Sequence, residues 1–361
     1  MPRLYGKSYT KEELLKHVGS ISQIGGVRSI TLEDGTERGS RALEFRTGTG
    51  LEFTVLADRC LDISNAAYRG QSLAWRSSTG DVAPAYFDPE GMNWLRGFFG
   101  GLVATCGLTQ AGAPSVDQGE ALGIHGRIGN QPACNLSTGG EWRGDDYVFW
   151  AEGRMRETVV FGPNLVLHRR LEAKLGEDRF SLRDTVTNEG YKTQPLMLLY
   201  HINGGFPVIA DGAKLLSATR SAQPRDAEAE KQKELYAGFQ APTHEYQEKC
   251  YYHDLAPFED GTAVTALANP SVNGGEGLGF YVKFRPEQLP VFTEWKMMDE
   301  GTYVVGMEPA TCHVQGRALE RERGTLQFIE PGETREFDLE LGVLTSAAQI
   351  QELERRLLAL L

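Results

Sequence analysis

The feature that most constrains this chain is its punctuation. In "ALEFRTGTGLEFTVLADRCLDISNAAYRGQSLAW", Ala42 to Trp75, apolar and polar residues alternate and the pattern breaks at Gly48, Gly50 and Gly70. "DDYVFWAEGRMRETVVFGPNLVLHRRLEAKLGEDRFSLRDTVTNEG" behaves the same way, with turn signals at Gly153, Gly162, Pro163, Gly176 and Asn188. Strands recurring every 8 to 12 residues or so, without a βαβ rhythm, predict a large antiparallel β-sandwich or barrel. The 42 glycines fit many tight turns, and no G-x-G-x-x-G follows a strand, which removes the best signal for a dinucleotide site.

Helix is expected only at the two ends. Thr10 and Glu13 in "TKEELLKHVG" match a capping box, predicting a helix over about 10–18. In "SAAQIQELERRLLALL", Ile350, Leu353, Leu357 and Leu361 recur at helical spacing, predicting a helix over about 346–361. With no linker and no fixed-period repeat between them, the expectation is a single domain over 1–361 carrying these helices as appendages. Two long irregular stretches interrupt the strands, one rich in Gly and Pro after Gly80 and one strongly charged from Arg220. Such loops on a β scaffold are where function usually resides.

A net charge of −12 without a Lys/Arg cluster argues against nucleic acid and anionic membranes as partners. No apolar run approaches the length of a membrane helix, and the first residues lack the apolar stretch of a secretion signal. Five widely spaced cysteines, Cys60, Cys106, Cys134, Cys250 and Cys312, read as buried thiols in a reducing compartment, so a cytoplasmic location is expected.

Chemistry is suggested by polar residues at the ends of apolar runs. "LMLLYHINGGFPV" reads as a strand buried on both faces that closes on His201 and Asn203 before Gly204, Gly205 and Pro207. Glu308 follows "TYVVGM" in the same manner. Strand ends hold such groups rigidly at the mouth of a concave sheet. His125 and Arg127 in "LGIHGRIGN" and the charged pair Asp58-Arg59 inside "FTVLADRCLDI" also need explaining; a satisfied core histidine and local ion pairs are the competing readings. No H-x-H, H-E-x-x-H or paired cysteines indicate a metal, and no G-x-S-x-G indicates a serine nucleophile. A two-carboxylate glycosidase stays open, because such pairs are defined in space.

His-Gly in a central loop, an apolar strand ending in His-x-Asn, and Glu-Pro near the last strands come in an order that resembles the aldose 1-epimerase (galactose mutarotase-like) superfamily, closest to its divergent, uncharacterised branch. The resemblance runs from about Val55 to Leu344 and implies a large mutarotase-type β-sandwich with short terminal helices. It implies that the enzyme, an isomerase, interconverts sugar anomers with Glu308 as base and His201 as acid, His125 as a sugar contact, and no cofactor or metal. Where the family carries "G-R-x-x-N-R", this chain reads "GGLVATCGLTQAG", so Arg59, Arg96 or Arg127 would replace the expected arginine. Asn203, Trp295, Lys296, Arg225 and Asp226 complete the expected contacts, a small sugar is the expected partner, and a homodimer is a candidate assembly. A carbohydrate-binding sensor and a lyase or hydrolase on the same scaffold compete with the mutarotase reading.

Overall fold

The computed structural model describes residues 1–361. Eight antiparallel strands form the largest sheet, in the order Cys134–Arg143, Asp146–Thr158, Asn164–Lys174, Arg179–Asn188, Thr334–Leu344, Leu278–Phe284, Ala263–Asn269 and Lys214–Ser217. A seven-stranded sheet packs against it in the order Thr219–Pro224, Lys249–Leu255, Val291–Met298, Tyr303–Ala310, Gln194–Gly204 and Gln327–Ile329, with Ala104–Leu108 also paired to Gln194–Gly204. A five-stranded sheet spans Gly26 to Ser72.

Alternation explains how the two large sheets meet. Leu196, Leu198, Tyr200 and Ile202 point one way along their strand and join Val305, Met307, Phe292, Phe280 and Phe337 in one continuous buried core. Met197 and Leu199 point the other way, into a second apolar cluster with Trp94, Phe98, Cys106 and Ala310. The seven-stranded sheet is therefore covered on both faces, by the partner sheet on one and by long loops on the other. That is why Leu196–Tyr200 reads as continuously apolar rather than alternating.

The terminal helices form, but shorter than their periodicity predicts. Lys11–Leu15 is closed by the Thr10–Glu13 capping box. Ala347–Leu358 buries Ile350, Leu353 and Leu357, whereas Leu361 lies beyond the helix and is exposed. An unpredicted internal helix, Arg317–Arg323, ends on Gly324 in the left-handed conformation and is anchored by Arg317 and Arg321 on Asp117. Four cysteines are buried, but Cys134 is exposed because it opens the outermost strand of the eight-stranded sheet. No helix is long and apolar enough to cross a membrane.

Candidate active site

His201 and Glu308 are cross-strand neighbours. The strands Gln194–Gly204 and Tyr303–Ala310 pair with Ile202 opposite Met307 and Asn203 opposite Gly306, and the next step of that register faces His201 to Glu308. Nε2 of His201 lies 3.2 Å from Oε1 of Glu308, and both side chains are buried. Gly306 permits this approach: a Cβ there would stand 2.9 Å from Glu308 Oε1 and 3.2 Å from His201 Cε1. Asn203, two residues on and so on the same face, donates from Nδ2 to the carbonyls of Gly100 and His201 and ties the strand to the loop layer.

The pair opens into a cavity of about 410 Å³ beneath the loops. Two larger openings, about 820 Å³ beside the five-stranded sheet and about 890 Å³ along the C-terminal helix, contain no histidine. The cavity walls are aromatic. Trp295 meets His201 edge-on at 5.2 Å between ring centres, Phe98 lies 5.2 Å from His201, and Trp75 closes on Trp295 at 6.4 Å. His125 sits 5.8 Å from His201 and against Trp94 at 4.7 Å. Its left-handed backbone (φ 59°) turns the loop, and its Nδ1 accepts from the Gly112 amide at 3.4 Å, leaving Nε2 to carry the proton.

Burial sets the protonation. It pushes the Glu308 carboxyl up to about 8, with Glu248 adding to the rise and Arg225 opposing it. It pushes His201 down to about 4, and His125 to about 3 with His201 contributing. Between these limits the pair therefore carries one proton, on Glu308. This reverses the expected resting state of an ionised Glu308 beside a protonated His201, because neither charge is solvated there.

The cavity also receives Arg225, Glu248 and Cys250. Arg225 donates from Nε to Asp226 (2.8 Å), from Nη1 to Cys250 Sγ (3.0 Å) and from Nη2 to Glu248 (3.0 Å). Glu248 in turn accepts from Trp295 Nε1 at 2.9 Å. Asp226 stands behind Arg225 and caps the short helix Ala227–Glu230 without lining the cavity.

Other expected contacts lie elsewhere. Lys296 follows Trp295 in a strand and so faces the opposite side, where its ammonium donates to the carbonyls of Leu235 and Gly238. Arg59 is buried and donates to the carbonyls of Gly129, Val82 and Gly97, clamping the loop that carries Trp94, Phe98 and His125. Arg127 and Arg96 are exposed and do not line the cavity. Of the arginines, Arg225 alone reaches it. Glu248, Trp75, Trp94 and Phe98 are lining residues that the sequence did not single out as contacts; the two tryptophans and the phenylalanine lie in or beside the Gly/Pro-rich stretch, and Glu248 ends the charged one.

The family described as "Domain of unknown function (DUF4432)" matches residues 37–343. No curated protein matches the chain in sequence. A crystal structure of a candidate aldose 1-epimerase from Klebsiella pneumoniae superposes with a TM-score of 0.86 at 26% identity, covering 92% of this chain and 87% of the other. A galactose mutarotase-like protein from Clostridium acetobutylicum gives 0.57 at 13% identity, covering 90% and 99%. A galactose 1-epimerase from Lactobacillus acidophilus gives 0.52 at 12%, covering 89% and 99%. The fold is galactose mutarotase-like.

Proposed function

We propose that this chain, which belongs to the DUF4432 family, is an aldose 1-epimerase that opens and recloses a sugar ring by acid–base catalysis at His201 and Glu308. The observation that carries the reading is the buried contact itself: two titratable groups 3.2 Å apart in an aromatic-walled cavity.

Mutarotation removes a proton from the anomeric hydroxyl and delivers one to the ring oxygen. Both oxygens are bonded to the same carbon, so an acid and a base side by side can address them together. The ring oxygen is acceptor-only, so the residue facing it must hold the pair's proton, while the residue facing the hydroxyl must accept one. A sugar inserted with its hydroxyl donating to Glu308 favours the carboxylate, and its ring oxygen accepting from His201 favours the imidazolium. Binding then moves the proton from Glu308 to His201 without changing the number held. Glu308 takes the hydroxyl proton as base and His201 protonates the ring oxygen as acid. After ring opening, rotation about the bond to the aldehyde carbon and reversal of both transfers give the other anomer.

His201→Asn and Glu308→Gln should each lower kcat for anomer interconversion by roughly 10² or more, measured by NMR exchange on freshly dissolved sugars, while affinity changes much less. His125→Ala should mainly weaken affinity. The rate should hold while the pair keeps one proton, falling below about pH 4 as it gains a second and above about pH 8 as it loses the first. Variants that interconvert anomers as fast as the wild type would overturn the assignment. Tight sugar binding without turnover by the wild type would favour a sensor.

A further inference from the structure

We propose that Asn203 positions His201: its side-chain oxygen accepts from His201 Nδ1–H and so keeps Nε2 bare, ready for the proton of Glu308. This rests on the mutarotase reading of the pair and deepens it.

The orientation of the Asn203 amide is the first argument. Asn203 is fully buried and does not line the cavity. Its Nδ2 donates to the carbonyls of Gly100 at 3.2 Å and His201 at 3.0 Å, so a flipped amide would set its oxygen against two carbonyl oxygens. Oδ1 is thereby the free end. It is buried and has no donor, while Nδ1 of His201 is buried and has no acceptor. The two residues stand two apart on one face of a strand, which brings these side chains together. Orphaned polar atoms are rare in a protein interior, and two of complementary kind on neighbouring side chains are each other's partner. Hydrogen bonds of this kind are often long before substrate binds and close in the complex. Burial lowers the proton affinity of His201, and the Asn203 side chain is what opposes the fall.

Elimination is the second. The rings packed on the imidazole supply no other acceptor: Phe98 has none, the Trp295 indole only donates, and Nδ1 of His125 is taken by the Gly112 amide. Glu308 meets the other nitrogen, Nε2. The opposite tautomer, with Nδ1 bare, would aim its lone pair at the Asn203 oxygen and leave both buried atoms unpaired.

The tautomer decides whether the proton can be handed over. With Nδ1 protonated, Nε2 has a lone pair, so the Glu308 O–H bond can break as an Nε2–H bond forms, giving a carboxylate and an imidazolium. With the proton on Nε2 instead, this transfer has no acceptor. Asn203 Oδ1 also serves the second N–H of the imidazolium, and losing a hydrogen bond to a charged group corresponds to roughly a ten- to hundredfold effect.

The test reads the tautomer directly. Nitrogen-15 shifts separate a protonated from a bare imidazole nitrogen, and the signals of His201 among the seven histidines are those missing from His201→Asn. Between the two limits of the pair, at about pH 6, the wild type should carry the proton on Nδ1. Glu308→Ala should still do so, because Asn203 rather than the carboxyl holds it there. Asn203→Leu added to Glu308→Ala should spread the proton over both nitrogens. With Glu308 present, Asn203→Leu should lower kcat for anomer exchange roughly ten- to a hundredfold and leave KM within about twofold, since Asn203 does not touch the sugar. A proton on Nε2 in the wild type or in Glu308→Ala, or an unchanged kcat in Asn203→Leu, overturns the role of Asn203 and leaves the mutarotase reading standing. The expected tautomers in a wild type that accelerates exchange of no sugar leave the role of Asn203 standing and overturn the mutarotase reading. If Asn203→Leu does not fold, the tautomer of Glu308→Ala decides alone.

Discussion

Replacing Glu308 by Gln should stabilise the protein, and increasingly so as pH rises, although it removes the proposed base. The carboxyl is buried and its proton is held up to about pH 8, against about 4.5 for an ordinary glutamate. Between those values the folded chain keeps a proton that the unfolded chain has released. The stability associated with this proton is present in full below 4.5 and is lost as pH rises towards 8. His201 shifts the opposite way: its depressed value makes its contribution full above 6.5 and lost as pH falls towards about 4. Above pH 6.5, therefore, only Glu308 contributes a slope from the pair, at about 1.4 kcal/mol per pH unit. From pH 6.5 to 8 the wild type should lose about 2 kcal/mol that the glutamine variant does not, with the other titrating groups common to both chains. The amide suits the site, since it is isosteric with the carboxyl and carries an N–H that can reach towards His201 Nε2, 3.2 Å from the carboxyl oxygen it replaces. Urea unfolding of both proteins at several pH values across this window measures the difference. A difference that stays flat would refute the raised proton affinity of Glu308 and, with it, the high-pH limit assigned to the reaction.

Arg59→Lys should cost about 1–3 kcal/mol, because a point ammonium cannot serve the three carbonyls that the guanidinium clamps; an unchanged denaturant midpoint would mean the loop does not depend on it. Lys296→Met should likewise lower stability by about 1–3 kcal/mol through the unpaired carbonyls of Leu235 and Gly238, yet leave sugar affinity and kcat within about twofold. Weaker sugar binding in a Lys296→Met protein that melts like the wild type would return Lys296 to the cleft.

Most of the fold was legible because strands and turns are local. Gly48, Gly50, Gly70 and Gly176 all adopt positive φ, whereas Gly153, also expected to mark a turn, lies inside the strand Asp146–Thr158. The helix Arg317–Arg323 was missed although it carried a readable signal: "RALERER" runs straight into Gly324, the residue suited to a left-handed cap. Leu361 failed for the complementary reason. Its spacing continues the apolar stripe, but the helix ends before the stripe reaches it, and spacing alone does not register where a helix frays.

The site was legible only as far as strand geometry is periodic. Period two places His201 and Asn203 on one face and should have separated Trp295 from Lys296, since adjacent strand residues cannot both enter one cleft. No local pattern, in contrast, brings Arg225 and Glu248 together across their loop, or reveals that the three donor directions of Arg59 are already taken. The contact between His201 and Glu308, more than a hundred residues apart, depends on strand register, and that register follows from the core. Tyr200, Ile202, Val305 and Met307 must all point between the large sheets, so a one-residue slip of Tyr303–Ala310 would send Glu308 into the apolar layer and Met307 into the cavity. The apolar residues that carry no chemistry thus choose which carboxylate the histidine meets. A core substitution that loosens this register should damage the pair before it unfolds the sandwich.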